Sequence, residues 1–285
     1  MNDFDFFQAE DRQAALAQLA GPESAVPLAG GTNLLVNLKR APLDTSIVID
    51  LSRVVSLKEI TEDNETLRLG SGVTFAQILE WRPGGSIEAL MRPMASAFAG
   101  PLIRNLATIG GNICDASPAA DVSPPLLALD ARVRLERTGS DSRLLSLDEF
   151  FRGVRQTALR PDELLTSVEI PCPDSSDRAF YYKLGKRKAD AISIVSVAIA
   201  LRQESERVTH VRIALGAVAP VAMRALNAEA ELKGNVLSVS NIEAAAKAAA
   251  AASRPIDDFR ASAAYRRRMV EVLVRRGLEK VAVEQ

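Results

Sequence analysis

The chain has 285 residues, 35 Lys and Arg against 36 Asp and Glu, a net charge of −1 and 47% hydrophobic residues. The balanced charge excludes a dedicated nucleic-acid binder, which needs a basic surplus facing phosphates, and the apolar content excludes a disordered chain. Two Cys and one His exclude an all-cysteine zinc site, four-thiolate iron–sulfur ligation and a disulfide scaffold within the chain.

The N-terminal sequence MNDFDFF is acidic and leads into no apolar run, unlike a signal peptide. The longest apolar stretch, residues 191–201, is far shorter than a membrane span. A cytoplasmic protein with reduced thiols at Cys114 and Cys172 is expected. Residues 8–20 have helical spacing, with Ala15, Leu16 and Leu19 on one face, and Gly21 and Pro22 end the run. Residues 25–29 and 46–51 are short and aliphatic and predict strands. Residues 66–73 alternate as a strand; Thr74 and Gln77 then form a capping box, predicting a helix from Phe75 to about Trp81. Residues 131–137 and 164–170 predict further strands.

Residues 171–177, made of Pro, Cys, Asp and Ser, predict a linker and place the boundary between residues 1–173 and 178–285. Beyond it, residues 180–186, 192–202 and 208–218 alternate with period two and predict three consecutive antiparallel strands. Val195, Val197, Ile199 and Leu201 share one face of the second; Val211, Ile213, Leu215 and Ala217 share one face of the third. Ser240 and Glu243 predict a capping box opening an Ala-rich helix to about Ser253. Residues 265–281 carry Val270, Leu273, Val274, Leu278 and Val281 on one helical stripe. Strands followed by helices after a Pro-rich linker predict a small α+β domain of its own.

Glycines pair in two places, Ala29-Gly30-Gly31-Thr32-Asn33 and Thr108-Ile109-Gly110-Gly111-Asn112. Such pairs tolerate φ > 0 and leave no side chain between backbone N–H groups and a ligand. Successive N–H groups can then converge on a pyrophosphate, with Thr32, Asn33, Thr108 and Asn112 adding side-chain donors. A plain turn is the alternative for either pair. No P-loop is present, and Gly70-Ser71-Gly72 starts a dinucleotide fingerprint that has Phe75 where the third Gly belongs, which argues against a Rossmann fold.

The segments TIGGNICDASPAADVSPPLLALDARVRL (108–135) and PLAGGTNLLVNLK (27–39) together resemble the flavin-binding medium subunit of the molybdenum hydroxylases. That family includes the bacterial xanthine dehydrogenase FAD subunit and the carbon monoxide dehydrogenase flavoprotein subunit. AGPLIRNLATIGGN (99–112), YYKLGKRKADAISIVSVAIAL (181–201) and LGAVAPVAMRA (215–225) extend the resemblance along the whole chain. It implies an α+β protein: a vanillyl-alcohol-oxidase-type (PCMH-type) FAD-binding fold in two subdomains, about 1–55 and 56–173, plus a C-terminal α+β domain with a three-stranded antiparallel sheet and helices. It further implies an oxidoreductase subunit with non-covalent FAD and two partners, a small subunit with two-iron two-sulfur clusters and a large molybdopterin subunit. Electrons then pass from the clusters through FAD to NAD or another acceptor. A xanthine-type purine or another N-heterocycle is the expected substrate of the large subunit, from the similarity of NICDASPAAD and ASAAYRRRMVEVL to xanthine dehydrogenase FAD subunits.

The resemblance carries the following residues over. Ala29, Gly30, Gly31, Thr32, Asn33 and Leu34 match the first pyrophosphate loop, and Thr108, Ile109, Gly110, Gly111 and Asn112 the second. Phe98 matches a position beside the nucleotide, Leu164 and Leu165 match apolar residues lining the ring system, and Lys183 matches a lysine near the flavin. Asp121 matches a carboxylate that hydrogen-bonds the cofactor; ribose or ribityl hydroxyls suit it, since a pyrophosphate would be repelled. Each has a plainer alternative: core packing for Phe98, Leu164 and Leu165, a helix N-cap for Asp121, and a solvated basic patch with Lys186, Arg187 and Lys188 for Lys183. His210 reads as structural, and Cys114 as either a flavin neighbour or a small buried hydrophobe. The chain departs from many relatives at Leu102, Leu106 and Ala222, none within the glycine loops. Competing functions are a flavin-free scaffold subunit, which the intact glycines argue against, and a stand-alone flavin oxidase, which the single His argues against.

Overall fold

The computed structural model describes residues 4–40, 45–63, 65–172, 174, 176–187 and 190–283. The first sheet is built from short strands, β1 (Asp5–Gln8), β2 (Ala25–Leu28) and β3 (Ile47–Asp50), parallel in the order β1-β3-β2. Helix α1 (Arg12–Leu19) joins β1 to β2 and α2 (Leu34–Arg40) follows β2, as parallel pairing requires. Asp11 caps α1, accepting from the Ala14 N–H at 2.8 Å, and the predicted face of Ala15, Leu16 and Leu19 is the buried one.

The next stretch runs β4 (Ile60–Glu62), β5 (Thr66–Gly70), α3 (Phe75–Glu80), α4 (Gly85–Ala97), α5 (Pro101–Arg104), α6 (Ile109–Asp115), α7 (Ser123–Ala128), β6 (Arg132–Glu136), β7 (Arg143–Ser146), α8 (Leu147–Phe150), β8 (Phe151–Gly153), β9 (Gln156–Thr157) and β10 (Leu164–Pro171). Its antiparallel sheet has the order β4-β5-β10-β6-β7. The Thr74 capping box is present: Gln77 N–H donates to Thr74 Oγ1 at 3.2 Å and Thr74 N–H to Gln77 Oε1 at 2.9 Å. Helix α4 has no counterpart among the predicted elements. Pro93 in its interior and Gly84-Gly85 at its start read as breakers, yet Ile87, Leu90, Met91, Met94 and Ala95 bury one face and Pro93 sits on the exposed one.

The C-terminal part comprises β11 (Arg178–Leu184), β12 (Val195–Glu204), β13 (Arg207–Gly216), β14 (Met223–Arg224), α9 (Leu226–Leu232), α10 (Val239–Ala252) and α11 (Ala263–Val283). Its sheet has four strands, not the expected three: β14 adds to β13 through two residues, too few to show a period. Ala217 leaves β13 with φ +63 instead of continuing its face. Helix α10 is capped by Ser238, which accepts from Asn241 N–H at 3.2 Å, and not by Ser240. The exposed Val239 at its first position hides this start from an apolar-pattern reading.

Val195, Val197, Ile199 and Leu201 pack with Val211, Ile213 and Leu215 against α10 and α11. The opposite face of the same sheet, with Tyr181, Ala198, Ala200 and Ala214, joins the core that holds Met91, Met94 and Leu126 from α4 and α7. No helix among the described residues is long and apolar enough to cross a membrane.

Candidate functional site

The two glycine loops meet. A Cβ on Gly30 would stand 1.8 Å from the carbonyl oxygen of Leu106, so the first loop packs directly on the backbone leading into the second. Gly31 takes φ +67, open to glycine at no steric cost. After β2 the chain turns into α2, and the N–H groups of Gly30, Gly31, Thr32, Asn33 and Leu34 find no acceptor among the described residues. These donors can meet a pyrophosphate.

The second loop differs from the expectation. It is the first turn of α6, with Thr108 as N-cap, and its donors are already used. Ile109 N–H donates to Val73 O at 2.9 Å, Gly110 to Ser71 O at 2.8 Å, Gly111 to Thr108 Oγ1 at 3.1 Å and Asn112 to Thr108 O at 3.0 Å. Gly110 is needed for packing, because a Cβ there would meet Ser71 Cβ at 2.6 Å. What this loop offers the cleft is the Asn112 side chain, whose Oδ1 is buried without a partner among the described residues.

A cavity of about 610 Å³ runs between the loops, lined by Ala29, Gly30, Gly31, Thr32, Asn33, Leu34, Phe98, Thr108, Gly110, Gly111, Asn112, Leu164 and Leu165. A second, of about 620 Å³, lies toward the C-terminal domain and contains Asp121 and Lys183. Asn33, Phe98 and Asn112 line both, which makes one continuous cleft. Of the sequence-predicted site residues only Ile109 lines neither cavity; it is fully buried core. Leu164 and Leu165 belong to β10 and to the core while lining the cleft, so both readings of them hold. Phe98 ends α4 and stacks on Phe75, ring centroids 3.7 Å apart.

Asp121 is not a helix cap and Lys183 is not in a solvated patch; Lys188 lies outside the described residues. The two form a buried ion pair, Lys183 Nζ to Asp121 Oδ2 at 2.7 Å, with side chains 5% and 8% exposed. Lys183 also donates to Ala97 O at 3.1 Å, and Ser193 Oγ donates to Asp121 Oδ1 at 2.9 Å. Burial pushes the Asp121 carboxyl up, while the Lys183 charge and the hydrogen bonds from Lys183 and Ser193 pull it back. The ammonium has one further proton to offer and each carboxylate oxygen a further lone pair.

Several residues that shape the cleft carry no sequence signal. Ser193 reaches Asp121 across 72 residues of chain. Arg104 Nη1 donates to the carbonyls of Ser96, Phe98 and Ala99, each at 3.0 Å, and so holds the turn in which Ala99 takes φ +37. Ala99, Asp190 and Ala217, all with positive φ, line the cleft, the kind of place where strained backbone collects. Cys114 lies against the first cavity with its thiol pushed up to about 12, by burial and then by Asp115, which disfavours the reactive thiolate. His210 lines neither cavity, and burial lowers its pKa. The departures at Leu102 and Leu106 are surface side chains, 82% and 57% exposed; Leu106 touches Gly30 only through its backbone.

Residues 2–173 match the family described as the FAD binding domain in molybdopterin dehydrogenase, and residues 180–281 match the carbon monoxide dehydrogenase flavoprotein C-terminal domain. The chain is 30% identical to the glyceraldehyde dehydrogenase medium chain of Sulfolobus acidocaldarius, over 98% of this chain and 99% of that one. It is 29% identical to the xanthine dehydrogenase FAD-binding subunit of Escherichia coli O157:H7, over 96% and 95%. In three dimensions it is similar to a chain of carbon monoxide dehydrogenase from Hydrogenophaga pseudoflava, in the form lacking the molybdenum-pyranopterin moiety. The TM-score is 0.92 at 30% identity, covering 98% of this chain and 97% of that one. With its free-amide glycine loop and its two-part cleft, the chain belongs to the FAD-binding medium subunits of the molybdenum hydroxylases.

Proposed function

We propose that the chain holds FAD non-covalently along the two joined cavities and relays electrons through it. The donors are iron–sulfur clusters on a small partner subunit, fed by a molybdopterin subunit that oxidises the substrate; the acceptor is NAD or another oxidant. The observation that carries this reading is the continuous cleft. One end presents unpaired N–H groups of Gly30 to Leu34 for a pyrophosphate, and the other presents the buried Asp121–Lys183 pair. Gly30 to Leu34 would bind the phosphates. Asn112 would offer its side-chain amide, Asp121 would accept from ribose or ribityl hydroxyls, and Leu164, Leu165 and Phe98 would exclude water from the rings. Lys183 would place one N–H and a positive charge where reduced flavin is anionic. Bound flavin supplies the exchange between one-electron and two-electron transfer.

The substrate is a property of the large partner subunit. Relatives named for glyceraldehyde and for xanthine are equally similar to this chain, 30% and 29% identical, as expected if a medium subunit does not contact the substrate. The test is purification of the complex. A yellow protein whose flavin is released as FAD on denaturation, and which brings a cluster-bearing and a molybdopterin-bearing chain with it, is expected. A folded, colourless chain that takes up no added FAD defeats the reading.

A further inference from the structure

Three residues that line the cleft with positive φ are each held by an arginine through their own carbonyl oxygen. Arg104 Nη1 donates to Ala99 O at 3.0 Å, Arg266 Nη1 to Ala217 O at 3.1 Å and Arg187 Nε to Asp190 O at 2.9 Å. The left-handed region is costly for a residue with a Cβ, and a charge-assisted hydrogen bond is stronger than a neutral one. Ala99 is the most constrained of the three. Phe98 has φ −80 and ψ 125 and Ala99 follows at φ +37, the order of a type II turn, whose second central residue is usually Gly. A glycine stands one residue later, yet Gly100 takes φ −92 and Ala99 carries the strain.

Four consecutive carbonyls at this turn accept from cations. Arg104 Nη1 reaches those of Ser96, Phe98 and Ala99, and Lys183 Nζ reaches that of Ala97 at 3.1 Å. In a trans peptide the C=O and the following N–H point in opposite directions. Arg104 lines neither cavity, so the Phe98 carbonyl turns away from the cleft and the Ala99 N–H turns toward it. Ala99 lines both cavities, and its N–H finds no acceptor among the described residues. Ala217 differs, because its N–H donates to Pro118 O at 2.9 Å. An unanswered backbone donor therefore stands at the junction of the two cavities, in the turn that the Lys183 ammonium also holds.

We infer that Arg104 is a positioning residue for the flavin. By holding the Phe98 and Ala99 carbonyls outside the cleft, it presents the Ala99 N–H to an oxygen or nitrogen of the flavin ring, beside the Lys183 ammonium. The inference rests on the FAD reading above and adds a backbone donor that neither glycine loop supplies. Reduced flavin is anionic, so a donor at its ring favours it over oxidised flavin. Arg104 itself touches no cofactor atom; it acts through the turn.

The test uses the full chain, and FAD uptake by the unmodified chain is read first. Arg104→Met removes the clamp and lets Ala99 relax to negative φ. It should raise the Kd for FAD about tenfold and move the midpoint potential of the bound flavin to a more negative value, with reduced flavin losing more affinity than oxidised flavin. Ala99→Gly added to Arg104→Met should recover much of both, because glycine takes φ > 0 without the clamp. A clamp that only stabilises the fold would lower the urea midpoint and leave the potential of the bound flavin where it was. Arg104→Met that binds FAD at an unchanged potential therefore overturns the inference, and so does a double variant no better than Arg104→Met. Should Arg104→Met take up no FAD, recovered uptake in the double variant supports the inference and continued loss overturns it. An unmodified chain that takes up no FAD overturns the FAD reading, and the inference with it.

Discussion

Gly30 and Gly111 look alike in the sequence, each in a Gly-Gly pair, but their surroundings separate them. A Cβ on Gly30 meets the Leu106 carbonyl at 1.8 Å, a backbone atom that cannot step aside without parting the two loops. A Cβ on Gly111 meets only Thr108 Oγ1, at 3.0 Å. Gly30→Ala should therefore abolish FAD uptake and lower the urea midpoint, whereas Gly111→Ala should retain FAD with a modest loss of stability. Equal FAD content in the two variants would show that the contact with Leu106 does not shape the site. Asp121 and Lys183 allow a second prediction. Removing Asp121 leaves the buried ammonium with only Ala97 O, so Asp121→Ala should cost about 3–5 kcal/mol. Asp121→Ala combined with Lys183→Met should recover much of that loss, because the stranded charge goes with its partner. A double variant as unstable as the sum of the singles would show that the pair is not coupled. Both residues are legible in the sequence, through the motif that contains them. Ser193, Arg104 and Arg266 are not, because each acts on a partner distant in the chain or on backbone carbonyls that any sequence would supply.

Elements were legible where period and caps agree. The Thr74–Gln77 box opens α3, and the alternating strands β12 and β13 fall close to their predicted ranges. No element was predicted over α4, where burial of Met91 and Met94 outweighs an interior proline on the solvent side. The start of α10 is a case of two candidate caps. Ser238 accepts from Asn241 N–H, while Ser240 only shares a hydroxyl hydrogen bond with Ser238 at 3.0 Å. Ser238→Ala should cost about 1 kcal/mol in unfolding free energy and Ser240→Ala close to nothing. The opposite order in a urea titration would return the cap to Ser240. The second glycine loop carries the same lesson: the sequence shows paired glycines before a helix, but only the structure shows that Val73, Ser71 and Thr108 already take the amides.

The whole molecule is tied together more closely than its Pro-rich linker suggests. One face of the C-terminal sheet covers α10 and α11, but the other does not face water. Tyr181, Ala198, Ala200 and Ala214 pack into the core of the preceding part, against α4 and α7. Arg212 adds an ion pair to Asp130 at 2.8 Å across the same boundary. The signal was present in β12, where Val195 to Leu201 are all buried; Ser196, Ala198 and Ala200 alternate with the large aliphatics where a half-exposed strand would carry charged residues. A sheet buried on both faces cannot be lifted out intact. Residues 178–285 expressed alone should therefore expose that small-residue face, bind a hydrophobic dye and lack a cooperative thermal transition. The full chain should unfold in one transition, because the shared core melts as a unit. A monomeric, dye-silent fragment with a sharp transition would mean that α10 and α11 alone supply a sufficient core. The second cavity would then lie between two bodies able to move apart, rather than within one packed unit.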